Sequence, residues 1–384
     1  MSIEQLKEQE DRYQLPTYSK FPFFIERGEG CYVFDEKGNK YLDFYGAHAV
    51  ASTGHCHPHV VEAIQKQAAQ LIFYSNVSYN SVRARALAKL LTLAGPPYYQ
   101  AFLVNSGGEA NDNALKLARA ATGRREVVSL VGSFHGRSYG ALSATGIPKY
   151  RDYLNTPVPM HWVVSQEEVV ESIGEETAAV LIEPIQSMGG VEEIGAGLLK
   201  EIQAACKTHG ALMIFDEVQT GVARTGSFLY SGHEGIYPEM VCLAKGIASG
   251  FPAGALLVTQ DLAAGVQNGD LGSTFGGGPL SCAAMEATLE VIESENLTEN
   301  AARMGEYLRE NLLEIPIVQE VLGRGLLVGV RVAEGMTAKK LQGVLLKQHI
   351  LAGSSMDPQV LRMMPPLTIT TREADLFVEA VQTA

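Results

Sequence analysis

Six short apolar runs, separated by longer amphipathic stretches, constrain the fold of this chain more than any other feature of its sequence. They lie at residues 101–104, 127–131, 178–182, 211–215, 240–244 and 253–258. Runs of this length are typical of strands that are buried on both faces of a parallel sheet. The stretches between them, such as 109–121 and 198–208, carry small and aliphatic residues at helical spacing. This alternation predicts βαβ units and a largely parallel sheet, and hence an α/β fold.

The pattern changes after residue 279. Two long helical stretches, 280–293 and 298–312, precede short strands near 325–332 and a closing helix from Arg372. This tail predicts a second, smaller lobe. At the other end of the chain, the turn at Lys37-Gly38-Asn39 predicts a hairpin that precedes the sheet domain.

Charge and cysteine content narrow the classes of function. A net charge of -13 would repel phosphate over most of the surface, which argues against general binding to nucleic acid or anionic membranes. The 5 cysteines are odd in number and lack CxxC spacing, which fits a reducing compartment better than a disulfide framework. The first residues are charged rather than apolar, and no apolar run reaches membrane-spanning length. We therefore expect a cytoplasmic protein.

Two charged residues stand where predicted buried strands end. Asp216 follows one apolar run, and Lys245 follows the next. A lysine at the mouth of a buried strand can lose its proton and form an imine with an aldehyde, and an aspartate nearby can keep a pyridine nitrogen protonated. Taken singly, the residues would more often be a surface cation and a loop carboxylate. Because carboxyl ends of parallel strands meet at one edge, we expect both residues to lie there with Asn105 and Glu183, and the pair favours a pyridoxal phosphate site.

Two more motifs follow predicted strands. NSGGEAN (residues 105–111) opens a helix, so its backbone amides could hold a phosphate, and its glycines permit close approach. SFHGR (residues 133–137) supplies a ring at Phe134 that could stack on a planar cofactor, and Arg137 could bind a carboxylate through two parallel hydrogen bonds. An ordinary turn, a core phenylalanine and a solvent-facing arginine remain the alternatives.

Arg362 is a cation inside an apolar run, VLRMMPP (residues 360–366). A buried arginine needs an anion, which could be a protein carboxylate or a ligand.

The cluster HCHPH (residues 55–59) looks metal-like, but no second cluster with zinc-type spacing accompanies it. We interpret it as a turn before a helix that starts near Val60, and expect no metal site.

In chain order, these motifs resemble those of a known family. The series is NSGGEAN, FHGR, EPIQ, FDEVQTG followed by RTGSF, LAKG, GSTFGG and RMMPP. It is similar to the series of the pyridoxal phosphate aminotransferases that include acetylornithine and ornithine aminotransferases. The resemblance implies fold type I of the pyridoxal phosphate enzymes, with a mostly parallel sheet in a large domain (residues 51–280). It also implies a smaller α+β domain built from both chain ends (residues 1–50 and 281–384), and homodimers with active sites at the subunit interface.

The same resemblance implies roles for individual residues. Lys245 would bond to the cofactor and act as the catalytic base, and Asp216 would pair with the pyridinium nitrogen. The other cofactor residues would be Ser106, Gly107 and Gly108 at the phosphate, Thr274 reaching it from the neighbouring subunit, Phe134 and Val218 on the two faces of the ring, and Gln219 at the ring hydroxyl. The substrate residues would be Arg137 at the α-carboxylate of an acylated ornithine, Arg362 at the α-carboxylate of glutamate, and Ser273 and Asn76 nearby.

The implied reaction moves the δ-amino group of N-acetylornithine to 2-oxoglutarate and gives N-acetylglutamate 5-semialdehyde and glutamate, a step of arginine biosynthesis. YGAHAV (residues 45–50) and FYSNV (residues 73–77) are similar to the N-acylornithine branch and leave acetyl and succinyl donors open. Ornithine, acetyl-lysine and 4-aminobutyrate are further alternatives, as is an aminomutase or racemase on the same scaffold. A non-catalytic dimeric binding protein is the remaining class. The expected partners are small molecules and a second copy of the chain, with neither nucleic acid nor membrane.

Three positions depart from the family pattern. Gly108 replaces the usual threonine, which removes a hydroxyl from the phosphate site but keeps the amides. Gly278 replaces a usual asparagine, with no clear consequence. Met188 stands where many members carry a glutamate that pairs with the arginine matching Arg362. Arg362 is therefore expected either to stay without a carboxylate partner or to be paired by another group.

Overall fold

The structure is a computed structural model that describes residues 1–152 and 160–384. Its strands, in chain order, are β1 (Ile25–Glu29), β2 (Tyr32–Asp35), β3 (Lys40–Asp43), β4 (Tyr98–Val104), β5 (Glu126–Leu130), β6 (His161–Val164), β7 (Thr177–Ile182), β8 (Ile185–Gln186), β9 (Glu192–Glu193), β10 (Leu212–Asp216), β11 (Met240–Leu243), β12 (Gly254–Thr259), β13 (Val318–Arg324), β14 (Leu327–Val332), β15 (Ile350–Leu351), β16 (Gly353–Ser354) and β17 (Val360–Met363). Its helices are α1 (Ile3–Tyr13), α2 (Gly46–Ala49), α3 (Pro58–Gln70), α4 (Ser81–Ala94), α5 (Gly107–Thr122), α6 (Tyr139–Ala144), α7 (Pro148–Arg151), α8 (Ala196–His209), α9 (Ser231–Glu234), α10 (Gln260–Gly265), α11 (Pro279–Ser294), α12 (Leu297–Leu313), α13 (Ala338–Lys347) and α14 (Thr371–Gln382). A 3-10 turn covers Lys245–Ala248.

A seven-stranded sheet contains all six apolar runs that were predicted as strands. Its order is β4-β12-β11-β10-β7-β5-β6. Strand β10 pairs in parallel with β7 and β11, and β5 pairs in parallel with β7 and β6. Only β12 runs the other way, antiparallel to β11 and to β4. The prediction of a largely parallel sheet is therefore confirmed. The sequence did not reveal β6, because this edge strand alternates between buried His161 and exposed Trp162 and lacks a continuous apolar run.

Helices cover both faces of this sheet. Helix α5 shares one apolar cluster with Leu181 and Ile214, whereas α8 shares another with Val180 and Met213. Because successive residues of a strand point to opposite faces, these clusters place the two helices on opposite sides. Each fully buried aliphatic side chain there contributes about 1.5–3 kcal/mol of stability. The helices predicted at 109–121 and 198–208 are thus confirmed as α5 and α8.

The two chain ends meet in smaller sheets. One has the order β1-β2-β3-β15, in which β15 from the C-terminal part pairs in parallel with β3. The other has the order β13-β14-β17-β16. Phe44 stacks on Phe377 with ring centroids 4.4 Å apart, which joins the N-terminal segment to α14. These contacts support a small domain built from both ends, whose boundaries at residues 50 and 280 stay a prediction.

The sheet brings the predicted residues to one edge. Asn105, Glu183, Asp216 and Lys245 all lie at or just after the carboxyl ends of β4, β7, β10 and β11, which run in the same direction. Among the helices of the two described ranges, none is both long enough and apolar enough to span a membrane.

Candidate active site

Lys245 lies in a cavity of about 290 Å³ at this edge of the sheet. It opens the 3-10 turn after β11 with a backbone φ of 46°, a left-handed conformation that residues other than glycine seldom adopt outside functional or tightly constrained sites. The cavity wall includes Gly107, Gly108, Phe134, Asp216, Val218 and Lys245. Most of the residues predicted to bind the cofactor therefore surround one space.

The surroundings of Lys245 favour its neutral form. Burial lowers the pKa of Lys245 to about 8, because the charged ammonium loses its hydration. The negative charge of Asp216 opposes this shift, as does that of Glu183 when it is ionised, and the guanidinium of Arg362 adds to the shift. A substantial fraction of the amine is unprotonated slightly above neutral pH, as a nucleophile or general base requires.

This lowered pKa predicts a pH dependence for the stability of the apoprotein. An unfolded lysine has its ordinary pKa of 10.5 and folded Lys245 a pKa of about 8, so between these values the unfolded chain binds more protons. The free energy of unfolding should therefore rise with pH across this window, relative to a Lys245→Met variant. The full change is on the order of 3 kcal/mol. Chemical denaturation of both apoproteins below and above the window measures it. A difference between them that does not change with pH would contradict the lowered pKa.

Three donors hold the carboxylate of Asp216. Its Oδ2 accepts hydrogen bonds from Asn111 Nδ2 at 2.7 Å and from His135 Nδ1 at 2.8 Å, and its Oδ1 accepts the N–H of Val218 at 3.1 Å. An ionised carboxylate only accepts hydrogen bonds, so three donors suit it, and Oδ1 keeps capacity for a further donor. Asp216 can thus receive the N–H of a protonated ring nitrogen.

The NSGGEAN segment forms the start of α5. The Oγ of Ser106 accepts the N–H of Glu109 at 3.2 Å and caps the helix, which leaves the amides of Gly107 and Gly108 at its free N-terminus. A Cβ at Gly107 would lie 2.8 Å from Val218 Cγ2, so only glycine fits beside the valine that lines the cavity. A helix start of this kind is a ready site for a phosphate.

The hydroxyl that is lost with glycine in place of threonine at position 108 has a neighbour of the same kind, the hydroxyl of Ser138. A Cβ at Gly108 would lie 3.0 Å from the Oγ of Ser138, and this hydroxyl is buried with no hydrogen-bond partner among the described residues. Ser138 therefore brings a hydroxyl close to where a side chain at position 108 would begin. Both the missing side chain and the unpartnered hydroxyl leave the helix start open to a phosphate.

The remaining predicted cofactor residues fit a substituted pyridine ring. Phe134 is half-buried and its ring meets Tyr150 edge-on at 5.5 Å. Gln219 is buried, and its Oε1 has no partner in the described part of the chain. This acceptor matches the ring hydroxyl of pyridoxal phosphate. Lys245 matches the aldehyde of the cofactor, Asp216 its ring nitrogen, and the start of α5 its phosphate. The donors and acceptors present therefore fit this cofactor.

Two arginines flank the site. Arg137 is exposed and its guanidinium lies over the Tyr150 ring at 4.1 Å. Arg362, on β17, is only 2% exposed; its Nη1 donates to Ser187 Oγ at 3.0 Å, and its Nε has no partner among the residues described. In residues 1–152 and 160–384, neither arginine forms a salt bridge with a carboxylate. Both guanidinium groups can therefore bind a substrate carboxylate. For Arg362 this agrees with the presence of Met188 in place of the glutamate that pairs with this arginine in many family members.

Three predicted residues lie outside this cavity. Asn76, Ser273 and Thr274 line a second cavity of about 690 Å³. Asn76 Nδ2 donates to the carbonyl of Gly276 at 2.8 Å, and Asn105 Nδ2 donates to Ser273 Oγ at 3.2 Å. Asn105 also lines the Lys245 cavity, so it separates the two spaces. Within one chain these residues are neighbours of the site rather than members of it.

Sequence reasoning gave no role to the two side chains that hold Asp216. Asn111 is fully buried on the face of α5 that otherwise carries alanine and leucine, and a polar residue at such a position signals a buried partner. His135 lies in the SFHGR motif, from which only Phe134 and Arg137 were given candidate roles. In the metal-like cluster, His55, His57 and His59 each contact a different carboxylate, from Asp43, Glu295 and Glu290.

Comparison with known proteins identifies the family. The family model described as Aminotransferase class-III matches residues 13–384. An acetylornithine aminotransferase of Archaeoglobus fulgidus is 42% identical over 375 residues, which are 97% of this chain and 98% of the relative. One from Methanopyrus kandleri is also 42% identical, over 95% of both chains. The chain therefore belongs to the class-III aminotransferase family.

Solved structures agree in fold. The ornithine aminotransferase from Toxoplasma gondii ME49 has a TM-score of 0.92 and 29% identity, and covers 100% of this chain and 94% of its own. The acetylornithine aminotransferase from Elizabethkingia anophelis has a TM-score of 0.84 and 30% identity, over 99% of this chain and 98% of its own. A further Toxoplasma gondii structure has partial occupancy of PLP at the active site. These likenesses confirm the predicted fold type I, and this chain is a pyridoxal phosphate-dependent aminotransferase.

Proposed function

We propose that this enzyme transfers the δ-amino group of N-acetylornithine to 2-oxoglutarate and produces N-acetylglutamate 5-semialdehyde and glutamate, for arginine biosynthesis. The observation that carries the proposal is the pairing of buried Lys245 and Asp216 in one cavity, with two arginines that lack carboxylate partners beside it among the described residues. Support for the donor comes from curated relatives of 37–42% identity, which are named acetylornithine aminotransferases.

The residues of the chain divide the chemistry between them. Bound pyridoxal phosphate supplies an aldehyde that takes up the amino group and a ring that withdraws electrons from the reacting carbon. Lys245 Nζ removes the proton from the δ-carbon of the donor, which its lowered pKa permits. Asp216 holds the proton of the ring nitrogen, and Asn111 and His135 hold Asp216. Gly107 and Gly108 would hold the phosphate through their amides, and Phe134 and Val218 would pack against the ring.

The two substrates place their carboxylates differently. N-acetylornithine reacts at its δ-carbon, far from its carboxylate, whereas 2-oxoglutarate reacts at the carbon next to one. A single cation cannot serve both positions, so two arginines are needed. Exposed Arg137 binds the distant carboxylate, and Arg362 binds the one beside the reacting carbon. The planar fork of arginine suits both roles because it can make two parallel hydrogen bonds to a carboxylate.

An Arg362→Leu variant is expected to raise the KM for 2-oxoglutarate by roughly 10- to 100-fold, the loss of one charge-assisted contact, and to leave the KM for N-acetylornithine nearly unchanged. Steady-state rates with each substrate varied in turn measure this. Arg303→Leu is the control, because Arg303 lies on the exposed side of α12 and its guanidinium donates a hydrogen bond to Asn300 Oδ1 on the same helix. Equal increases for both substrates would show that Arg362 does not discriminate between them.

The proposed donor is tested by a panel with 2-oxoglutarate as the common acceptor: N-acetylornithine, N-succinylornithine, ornithine, acetyl-lysine and 4-aminobutyrate. We expect N-acetylornithine to have the highest kcat/KM. A higher value for another donor would reassign the substrate within the family. Conversion of a donor without any need for 2-oxoglutarate would instead favour an aminomutase or racemase.

We also propose a cytoplasmic homodimer in which Thr274, Ser273 and Asn76 serve the neighbouring active site. Val77 lines the second cavity, and the ring of Phe275 lies 5.2 Å from that of Phe73 in its wall; Val77 and Phe275 are strongly exposed apolar side chains that a partner would bury. All 5 cysteines are free, which suits a reducing compartment. Light scattering of the purified enzyme should give twice the mass of the chain; the mass of a single chain would contradict the dimer.

A further inference from the structure

Glu183 is a buried carboxyl group beside the site, and the reaction described above gives it no role. It directly follows β7, which lies between β10, ending at Asp216, and β5, which leads to Phe134. Glu183 is only 3% exposed. Burial of a carboxyl group costs free energy unless hydrogen bonds or charges compensate, so its presence here needs a physical reason.

One hydrogen bond ties Glu183 to the active-site loop. Its Oε1 accepts the backbone N–H of Phe134 at 2.6 Å. Phe134 lines the Lys245 cavity, and the next residue, His135, donates to Asp216 and accepts a hydrogen bond from Asn111 at its carbonyl. Glu183 therefore anchors a loop that carries both a wall of the cofactor cavity and one donor to Asp216.

The charges around Glu183 favour its protonated form. The charged groups that act on it are Asp216 at the end of β10, Lys245 after β11 and Arg362 on β17. Burial and the negative charge of Asp216 raise the pKa of Glu183 to about 8, and the two cations and the Phe134 N–H oppose this shift. A charged Glu183 would in turn raise the pKa of Lys245. An uncharged Glu183 keeps Lys245 closer to its free amine, while Oε1 can still accept the Phe134 N–H.

We propose that Glu183 is a positioning residue that acts in its uncharged form: one oxygen anchors the loop that begins at Phe134, and its proton leaves Asp216 as the only negative charge beside Lys245 among the described residues. The second half of this proposal rests on the function proposed for Lys245, whereas the anchoring does not.

Two variants separate these effects. Glu183→Gln keeps an acceptor oxygen and is always uncharged, whereas Glu183→Met has similar length and no such acceptor. We expect Glu183→Gln to keep kcat, KM and cofactor affinity within about twofold near neutral pH. Glu183→Met should speed hydrogen exchange at the Phe134 amide and weaken cofactor binding by the apoprotein, each by roughly tenfold or more, the effect of losing one buried hydrogen bond. Glu239→Met is the control, since Glu239 accepts the N–H of Met213 at 2.9 Å away from the site.

Several outcomes would overturn the proposal. If Glu183→Gln is as impaired as Glu183→Met, the uncharged role is wrong. If Glu183→Met leaves exchange at Phe134 and cofactor affinity unchanged, or if Glu239→Met alters them equally, the anchoring role is wrong. Should Glu183→Met not fold, Glu183→Gln decides alone, because normal activity supports the proposal and lost activity refutes it. Exchange at Phe134 needs no turnover, so it stays informative even if the enzyme uses another donor.

Discussion

A Lys245→Ala variant is expected to lose multiple turnover by on the order of 10⁴-fold, the upper range for removal of a general base. Lys245 is fully buried with a pKa lowered to about 8, and it is the only lysine among the residues that line the cavity in the described part of the chain. The variant would retain the helix start and Asp216, so it should still bind the cofactor. Steady-state kcat with N-acetylornithine and 2-oxoglutarate, together with cofactor content by absorbance, measures both effects.

The matched control for this variant is Lys66→Ala, because Lys66 is exposed on α3. It should keep normal turnover. Near-normal turnover of Lys245→Ala with full cofactor content would remove the basis for assigning Lys245 as the catalytic base. A loss of turnover that merely follows loss of cofactor would assign Lys245 to binding alone.

Asp216→Asn is expected to lower kcat by roughly 10²- to 10³-fold, comparable to removal of one preorganised electrostatic contact in an active site. The neutral amide cannot stabilise a positively charged ring nitrogen. If its oxygen keeps the hydrogen bonds of Asn111 and His135, its NH₂ group must face the N–H of Val218, donor against donor. Single-turnover rates with N-acetylornithine separate the loss in chemistry from any loss in binding.

Asp112→Asn is a suitable control for Asp216→Asn. Asp112 also accepts a backbone N–H, from Ala141 at 2.7 Å, but it lies on α5 away from the cavity wall. It should cost some stability and little activity. If Asp112→Asn and Asp216→Asn lowered the single-turnover rate equally, the effect would be structural, and Asp216 would lose its assigned role.

Local pattern was sufficient for much of the fold. Continuous apolar runs predicted six strands of the central sheet because a strand covered on both faces favours apolar residues along its length, as β11 has throughout and β7 has from Ala178 to Ile182. The same logic fails for β6, whose exposed edge removes that requirement. It also does not reveal that β12 is antiparallel, because strand direction leaves no mark on the composition of a buried strand.

The candidate site divides in the same way. Lys245, Asp216 and the NSGGEAN turn could be recognised because each combines an unusual residue type with the end of a predicted strand. The contacts of Asn111, His135 and Glu183 could not, since each joins residues that are distant in the chain and depends on the order β10-β7-β5 in the sheet. Met188 shows the intermediate case. From the sequence, Met188 indicates only that Arg362 lacks the usual glutamate partner. The structure shows that the guanidinium of Arg362 donates a hydrogen bond to the hydroxyl of Ser187 instead.

By itself, the sequence determined the α/β class, the strand positions and the residue types that identify an aminotransferase, because buried strands and phosphate-binding turns are encoded by neighbouring residues. Only the tertiary structure decided which groups share the cavity, which carboxyl groups are buried beside Lys245 and which arginines lack a carboxylate partner within the described residues. These properties depend on burial and on distances between charges, and both arise only when strands from different parts of the chain pack side by side.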